Sequence, residues 1–177
     1  LPDVEVRVCD DNGNVLGTDE IGVLEARGPN VFAGYWQMPE KTAEEFREDG
    51  FFITGDIAKI DAKGYVHIVG RAKDLVISGG FNVYPKEIET VIDKMDGVVE
   101  SAVIGVAHPD FGEAVVAVIV RSSDKLSEDD VVNAIKGQLA NFKVPKRVFF
   151  VSELPRNAMG KVQKNILRED YSALFAN

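Results

Sequence analysis

The sequence is poor in the residues that build covalent and metal-bound centres. Its 177 residues include one cysteine and two histidines. Cys9 alone cannot form an internal disulfide, and neither Cys9 nor the histidines His67 and His108 have the spacing of a metal site. We therefore predict a chain that holds no metal of its own and works in a reducing, cytoplasmic setting.

Long apolar runs are also missing. No stretch approaches the ~20 residues that a membrane-spanning helix needs, so we expect no membrane span. Asp3, Glu5 and Arg7 place charge among the first residues, which argues against a signal peptide. The composition, 45% hydrophobic and 28% charged, is ordinary for a soluble globular protein.

Positive charge is scarce overall but concentrated late in the chain. The formal net charge is −9, which argues against non-specific binding of nucleic acid. Residues 1–71 carry 7 basic and 14 acidic side chains, whereas residues 131–168 carry 8 basic side chains and only Glu153 as an acid. A basic segment on an acidic protein favours a polyanionic partner, although a solvated basic face explains it equally well.

Two kinds of pattern divide the chain near residue 73. Residues 1–71 alternate short strand-like runs with turn signals, such as Asn12-Gly13 and the loop 61–64, and contain one short polar helix after Pro39. They are few for an independent core, so we interpret them as the β-rich end of something larger.

The rest of the chain predicts an α+β domain of about 100 residues. The order is strand, helix, strand, strand, helix, strand, helix. Pro85 stands at a good first helical position, an apolar stripe follows from Ile88 to Met95, and Gly97 is expected to end that helix. Ser127 and Asp130 resemble a capping box.

Residues 155–174 predict a loop followed by the last helix, from Lys161 to Leu174. Lys161 follows Gly160, which lets a backbone approach a ligand closely, and its ammonium suits a phosphate or carboxylate oxygen. An ordinary surface lysine is the alternative. The pattern is not the phosphate loop, which requires Ser or Thr after the lysine, where Val162 stands.

The stretch from Gly70 to Glu89 joins the two patterns. Arg71 and Lys73 would point the same way in an extended chain, with solvation at a linker as the alternative. Gly79-Gly80 could be a bulge or a turn, or could let a thin ligand lie against bare backbone. Nowhere does the sequence offer a nucleophile with its base.

Four motifs in order make the chain resemble the adenylate-forming enzymes, which are acyl-CoA synthetases, luciferases and adenylation domains of peptide synthetases. They are the segment 22–36, with Val23 where the family has Glu, the T-G-D at 54–56, the junction motif G-R-x-K-D...G...P-x-E-I-E at 70–89, and P-x-x-x-x-G-K with a trailing Arg at 155–168. Within the family, residues 158–165 look most like those of a malonyl-CoA synthetase or a related short-chain acyl-CoA ligase.

The resemblance implies an acid–thiol ligase with two half-reactions. A carboxylate attacks ATP to give an acyl-adenylate and pyrophosphate, and the thiol of CoA then displaces AMP. ATP/AMP, CoA and Mg²⁺ are implied as ligands. The Ser/Thr/Gly-rich phosphate loop, the adenine pocket and most of the acyl pocket belong to the family's upstream part, so we expect this chain to be inactive alone.

The resemblance also implies a role for each matching residue. Asp56 would hold the ribose hydroxyls, where the residues alone favour a turn former. Arg71 would contact the ribose or phosphate side, and Lys161 would bridge the acyl carboxylate and the α-phosphate. Lys73 would be the hinge, and Gly80 would lie where the pantetheine arm of CoA passes.

These assignments imply three regions. Residues 1–71 are the β-rich end of the large N-terminal domain, 72–74 the hinge, and 75–177 the mobile C-terminal domain, with a mainly antiparallel sheet and flanking helices. In one pose Lys161 enters the active site, and in the other the strand at Gly79-Gly80 does. Further contacts to the CoA phosphates are predicted at three cations: Lys143, Lys146 and Arg147.

Two alternatives stay open. The acceptor could be the phosphopantetheine of a carrier protein instead of CoA. The chain could also serve as a recognition unit for a lysine acetyltransferase or deacetylase that acts on Lys161, because loss of that charge removes a phosphate contact.

Overall fold

A computed structural model describes residues 2–176. They form two compact units that divide between Lys73 and Asp74, called here the N-terminal unit and the C-terminal unit. No helix within residues 2–176 is long and apolar enough to cross a membrane.

The N-terminal unit is built on an antiparallel sheet in the order β1-β2-β3-β4. Its elements are β1 (Glu5–Cys9), β2 (Gly22–Arg27), α1 (Pro39–Glu45), β3 (Phe52–Ile60) and β4 (Val66–Arg71). The predicted turn after β3 forms because the Asp61 carboxylate accepts hydrogen bonds from the backbone of Lys63 and Tyr65, at 2.9 and 3.0 Å. Gly64 completes it at a φ of 82°, where only glycine is unstrained.

The C-terminal unit confirms the predicted α+β class with a mainly antiparallel sheet. The sheet order is β6-β5-β8-β7, and β9 pairs with β8 in parallel. Its elements are β5 (Val76–Ser78), β6 (Phe81–Val83), α2 (Pro85–Ile92), β7 (Val98–His108), β8 (Gly112–Arg121), α3 (Glu128–Lys136), β9 (Arg147–Val151) and α4 (Lys164–Asp170).

Both faces of this sheet are covered, which explains the continuous apolar run of β8. Val115, Ala117 and Ile119 are buried in one cluster with side chains of α2 and α3. Val116 and Val118, which alternate with them, are buried in a second cluster with Leu167 of α4. Successive strand residues point to opposite faces, so a strand covered on both sides has no polar positions.

Two helix boundaries differ from the prediction. The helix α2 ends at Ile92 with Asp93 as its cap, and Gly97, at a φ of 86°, belongs to the following turn. The apolar stripe still reaches Met95 because that residue packs on the same cluster from a tighter turn, closed by its N–H on the Ile92 carbonyl at 2.9 Å.

The last helix is shorter than the predicted span from Lys161 to Leu174. It begins at Lys164 because Val162 forms a β-bridge with Arg156, which holds the residues before it in extended conformation. After Asp170 the chain continues in turns, from which Leu174 still packs on the second cluster.

The prediction also missed one strand. Residues 76–83 form a hairpin, with Ser78 opposite Phe81 and Gly79 and Gly80 at φ values of 58° and 81°. Positive φ at both central residues is typical of a type I′ turn, for which Gly-Gly is favoured. Strands of three residues are too short to show a period in the sequence.

Candidate functional site

Asp56 and Arg71 are neighbours across strands β3 and β4 of the N-terminal unit. Their Cα atoms are in register, and the Arg71 Nε lies 3.1 Å from the Asp56 Oδ1. The Asp56 side chain keeps 28% of its surface and that of Arg71 51%. A pair this exposed contributes little to stability, and the carboxylate stays open to further donors.

The T-G-D residues, 54–56, form a β-bulge that sets the direction of the Asp56 side chain. Strand pairing with β2 jumps from Val23↔Ile57 to Glu25↔Ile53, which leaves extra residues on β3. The Thr54 hydroxyl donates to the Leu24 carbonyl at 2.8 Å, and Gly55 takes a φ of 71°. Bulges occur next to active sites because they redirect one side chain.

Asp56 is therefore a strand residue, and its interpretation as a simple turn former was wrong. The Thr54 hydroxyl accepts a hydrogen bond from the Asp56 N–H at 3.1 Å. Arg71 donates to the Thr54 carbonyl at 3.2 Å. The residues of the T-G-D motif thus each help to place the ion pair of Asp56 and Arg71 at the surface.

Lys73 lies in a short 3₁₀ turn, Ala72–Asp74, where the chain passes from one unit to the other. The expectation that Arg71 and Lys73 share one side of an extended chain was wrong, because extension ends at Arg71. The next residue, Asp74, is fixed within the C-terminal unit by Arg168 of α4 at 2.6 Å.

Lys161 lies near the tip of a compact loop, residues 155–163, called here the lysine loop. The Asn157 N–H donates to the Lys161 carbonyl and the Asn157 Oδ1 accepts from the Lys161 N–H, both at 3.0 Å. Gly160 turns the chain at a φ of 75°. The Gln163 N–H closes the loop on the Pro155 carbonyl at 2.8 Å.

The Lys161 ammonium is exposed, and the structure of residues 2–176 shows no hydrogen bond or ion pair to it. Its backbone, in contrast, is bonded on both sides within the loop. A rigid backbone with a free ammonium can deliver three hydrogen-bond donors and one positive charge to an anionic ligand.

The Gly79-Gly80 turn lies beside exposed aromatic rings. The Gly79 N–H donates to the Phe111 carbonyl at 2.9 Å. Phe81, 55% exposed, stacks on Phe142 with ring centroids 4.6 Å apart. A side chain at Gly80 would meet no atom within 4 Å, so the bare turn leaves open space at this surface.

The three cations predicted for CoA phosphates differ in how they are engaged. Lys143 is bound to Glu87 at 2.5 Å, and Arg147 lies 3.7 Å from Glu128. The Lys146 ammonium is 4.7 Å from the centre of the Phe111 ring, the residue that also receives the Gly79 N–H. Lys146 thus shares Phe111 with the glycine turn.

Sequence reasoning missed Glu100 and the role of Arg156, which links the lysine loop to β7. The guanidinium of Arg156 donates to the Gly160 carbonyl at 2.5 Å and pairs with the Glu100 carboxylate. Their separation of 56 residues left no local signal. Within residues 2–176 no group of three or more His, Cys, Asp or Glu side chains could hold a metal ion.

The chain is similar to known proteins in sequence. Residues 87–161 match the family model of the AMP-binding enzyme C-terminal domain. The chain is 49% identical over 96% of its length to a propanoyl:CoA ligase of Rhodococcus jostii, whose acid carries a methyl-dioxo-octahydroindenyl group, and covers 31% of that protein. It is 41% identical over 96% of its length to a long-chain-fatty-acid–CoA ligase of Salmonella typhimurium and covers 30% of it.

Solved structures give the same picture. ATP-bound MatB from Rhodopseudomonas palustris is 63% identical and aligns with a TM-score of 0.94, over 99% of this chain and 35% of that one. Apo MatB, at the same identity and coverage, aligns with a TM-score of 0.74. The chain spans about a third of the length of the relatives it matches.

Proposed function

Because the chain belongs to the adenylate-forming superfamily and carries its AMP-binding enzyme C-terminal domain, we propose that it is the C-terminal part of an ATP-dependent acyl-CoA synthetase. The whole protein would convert a carboxylic acid, ATP and CoA into acyl-CoA, AMP and pyrophosphate through an acyl-adenylate. The observation that carries this proposal is the free ammonium of Lys161 on a hydrogen-bonded loop.

In the first half-reaction Lys161 stabilises charge. As the acid attacks, negative charge grows on the α-phosphate and the departing pyrophosphate. A positioned ammonium that contacts the acyl carboxylate and the α-phosphate lowers this barrier. Lys161 fits because it has no competing carboxylate within residues 2–176, so binding costs no ion pair.

Asp56 and Arg71 fit the ribose of the nucleotide. A carboxylate can accept hydrogen bonds from two neighbouring hydroxyls, and charge strengthens both. The Asp56 carboxylate is accessible, and Arg71, 3.1 Å away, orients it by an ion pair. Mg²⁺ and the remaining phosphate contacts are assigned to residues outside this chain.

A rotation at residues 72–74 would present two faces of the C-terminal unit in turn. Lys161 would enter for adenylation, and the Gly79-Gly80 turn for thioester formation. The unequal TM-scores of ATP-bound and apo MatB at equal identity support a change of conformation in that relative. A few linker torsions suffice for such hinge motion.

The Gly79-Gly80 turn suits the narrow arm of CoA. Bare backbone leaves space for a thin chain, and the exposed rings of Phe81 and Phe111 offer apolar contact. Lys146 lies over the Phe111 ring and is the best placed of the three predicted cations to meet a CoA phosphate. The reaction's ligands, like the single cysteine, favour a cytoplasmic protein.

For the acid we propose malonate or another short-chain substrate. The sequence of residues 158–165 supports this choice. The chain is 63% identical to MatB, a malonyl-CoA synthetase, and 41% identical to a long-chain-fatty-acid–CoA ligase, which favours the shorter acid. A carrier protein remains the alternative acceptor, and offering CoA and a holo-carrier in parallel thioester assays distinguishes the two.

The exposed ammonium also supports control of Lys161 by acetylation. Acetylation would remove the charge on which adenylation depends. Incubation with a protein acetyltransferase, followed by intact-mass analysis, should show less acetyl uptake by Lys161→Ala than by the wild type. Equal uptake by both would overturn this part of the proposal.

The central test uses the full-length enzyme with Lys161→Ala. We expect ATP–pyrophosphate exchange to be abolished, while thioester formation from a supplied acyl-adenylate stays largely intact. Lys125→Ala, which removes another exposed lysine of the same unit, is the control and should leave both half-reactions unchanged. Equal loss of both half-reactions in Lys161→Ala would overturn the two-pose proposal.

A second test uses this chain alone. It should catalyse no ATP–pyrophosphate exchange, because the family's phosphate loop and adenine pocket are not among its residues. Exchange by the 177-residue protein, free of full-length enzyme, would contradict the proposal that a further part of the protein is required.

A further inference from the structure

We propose that Arg156 is a positioning residue for Lys161 and that Glu100 holds Arg156 in place. The inference deepens the proposed function and rests on it, because Lys161 must act in adenylation for its position to matter. Arg156 acts through the peptide bond that precedes Lys161 and does not itself touch the reacting atoms.

The contacts of Arg156 join the lysine loop to the sheet. One terminal nitrogen, Nη1, donates to the Gly160 carbonyl at 2.5 Å. The other, Nη2, pairs with the carboxylate of Glu100. The Gly160 carbonyl belongs to the peptide bond that leads into Lys161, so the guanidinium fixes the direction in which the lysine leaves the backbone.

Asn157 holds the other side of the same peptide bond, because its Oδ1 accepts from the Lys161 N–H at 3.0 Å. Asn157 is itself a residue of the loop, so this contact sets the shape of the loop but does not join it to the sheet. Glu100 lies on β7, opposite Val120 of β8, next to a register shift between Val98 and Glu100. From Glu100 onward the antiparallel pairing is regular as far as His108. Arg156 therefore transfers the rigidity of the strand pair to a loop that is otherwise bonded only to itself at its tip.

A second ion pair supports the far end of the loop. Lys164, the first residue of α4, lies 2.6 Å from the Glu89 carboxylate, which also accepts from the Val103 N–H at 2.9 Å. The side chains of Glu89 and Lys164 are only 8% and 17% exposed, so removal of Glu89 would leave the largely buried Lys164 ammonium without this partner and destabilise the fold. Glu100 and Arg156, at 29% and 43%, are the better choice for a test of position.

Position matters because Lys161 must reach two anionic groups at hydrogen-bond distance. A misplacement of about 1 Å can cost a reaction about 100-fold in rate. Loss of Arg156 frees the Gly160 carbonyl and unfastens the loop from β7, while the ammonium, its charge and the Asn157 contacts stay in place. The defect should then appear in the rate of adenylation and not in the affinity for ATP.

The experiment measures both half-reactions of the full-length enzyme in Arg156→Ala, Arg156→Lys and Glu100→Gln, with Lys161→Ala as reference. In Arg156→Ala we expect kcat for ATP–pyrophosphate exchange to fall about 10- to 100-fold, with KM for ATP and thioester formation from supplied acyl-adenylate within about 2-fold of wild type. Arg156→Lys should recover only part of the lost kcat. It keeps the positive charge, but an ammonium lacks the fork with which a guanidinium spans both partners.

Glu100→Gln tests the second half of the claim. It keeps the shape of the side chain and removes the charge that orients Arg156, so an intermediate loss of kcat is expected. Combining it with Arg156→Ala should cause no further loss, because two residues that act through one contact are not additive. If the losses of kcat in the two single variants add fully in the double variant, or if Glu100→Gln has a wild-type kcat, Glu100 has no part in positioning Lys161.

A matched control is Arg121→Ala in the same unit. Arg121 donates to the Leu126 carbonyl at 2.7 Å and pairs with Asp124 at 2.9 Å, the same arrangement away from the lysine loop. Arg121→Ala should leave kcat for ATP–pyrophosphate exchange unchanged. If the Tm of Arg156→Ala is close to that of Arg121→Ala, general unfolding does not explain the loss of kcat. If the Tm of Arg156→Ala is lower, the kcat of Glu100→Gln tests the positioning role instead.

Two results would overturn the role of Arg156: a wild-type kcat in Arg156→Ala, or a raised KM for ATP with kcat unchanged, which would indicate direct contact with the nucleotide. If Lys161→Ala itself retains exchange, the proposed function fails and not only this inference. If Lys161→Ala is inactive while Arg156→Ala behaves as wild type, the inference fails alone.

Discussion

In the C-terminal unit apolar side chains cover both faces of the sheet, whereas in the N-terminal unit a buried carboxylate lies in the middle of it. Ile104, Val118 and Ile119 are fully buried in two separate clusters. In the N-terminal unit Glu25 is equally buried and is held at 2.8 Å by Arg7 and by Arg47.

Both units leave large apolar side chains exposed, among them Phe81, Val99 and Met159 of the C-terminal unit. The N-terminal unit exposes Trp36 to 86%, Tyr65 to 66% and Ile68 to 56% of their surface, beside a small apolar cluster around Val8 and Leu24. Only Ile68 of these three lies on a strand, β4, and apolar side chains exposed singly are normal on a protein surface. We infer that the C-terminal unit is a self-supporting carrier for Lys161, whereas the N-terminal unit depends more on polar contacts.

The largest effect on stability is expected from the apolar core of the C-terminal unit. Ile119→Ala should lower the free energy of unfolding by about 4 kcal/mol, because it removes buried methylene groups and leaves a cavity. Ile68→Ala, at an exposed site of the N-terminal unit, should change it by less than about 0.5 kcal/mol. Denaturant unfolding followed by circular dichroism measures both changes. Similar losses of free energy of unfolding in the two variants would contradict the expected difference between the buried and the exposed site.

A smaller loss, about 3 kcal/mol, is expected for Glu25→Ala in the N-terminal unit. It leaves two arginines without their buried partner, and breaking a buried pair from one side is costly. Hydrogen exchange should speed up in β1 to β3 and stay unchanged in β7 and β8. Matching acceleration in both units would show that they unfold as one body.

The turn at Gly79-Gly80 should be sensitive to backbone strain. Gly80→Ala is expected to cost about 1 kcal/mol, since the added Cβ meets open space but a φ of 81° strains any other residue. Gly70→Ala is the control, because that site is equally open and no positive φ is found there. A thermal melt that ranks Gly70→Ala below Gly80→Ala would contradict this explanation.

The smallest effect concerns the capping box of α3. Hydrogen bonds from the Ser127 side chain and backbone lower the pKa of the Asp130 carboxyl. A lowered pKa stabilises the fold above the pKa of the unfolded chain, and this stabilisation is lost as pH falls through the folded value. Ser127→Ala should therefore destabilise the fold at neutral pH, and by less than Gly80→Ala does, because it removes the hydrogen bonds between Ser127 and Asp130.

The cost of Ser127→Ala should shrink as the pH falls below about 4, the ordinary Asp value. Tm values of the two proteins, measured between neutral and acid pH, test the sign. A difference that grows on acidification would contradict the assigned hydrogen bonds. Ser123→Ala, at a nearby residue outside the capping box, should show no such pH dependence.

Much of the architecture was readable from local sequence. The capping box at Ser127 and Asp130 forms as predicted, and Pro85 opens α2. These features depend on residues a few positions apart, where one side chain satisfies a nearby backbone group. The helix that was predicted from Lys161 failed because a β-bridge to Arg156, invisible as a period, holds the chain extended.

The candidate residues were found by their motifs, but their surroundings were not. Asp56 and Arg71 are 15 positions apart in a hairpin, and their register depends on bulges that no alternation of polar and apolar residues reveals. The link from Lys161 through Arg156 to Glu100 spans 56 residues. Pairs at such separations follow from how strands and loops pack, not from either local sequence.

The sequence by itself determined the α+β class of the C-terminal unit, the order of most of its elements, and Lys161 and Arg71 as candidates, whereas Asp56 became a candidate only through the resemblance of its T-G-D motif to the family. The class and the element order follow from short-range spacing, which sets the face on which each residue lies. Tertiary structure alone decided that Asp56 sits on a bulge beside Arg71 and that Lys161 projects from a loop fastened to β7. Such contacts form only after distant segments pack, because the hydrogen-bonding capacity of a guanidinium or carboxylate does not specify its partner.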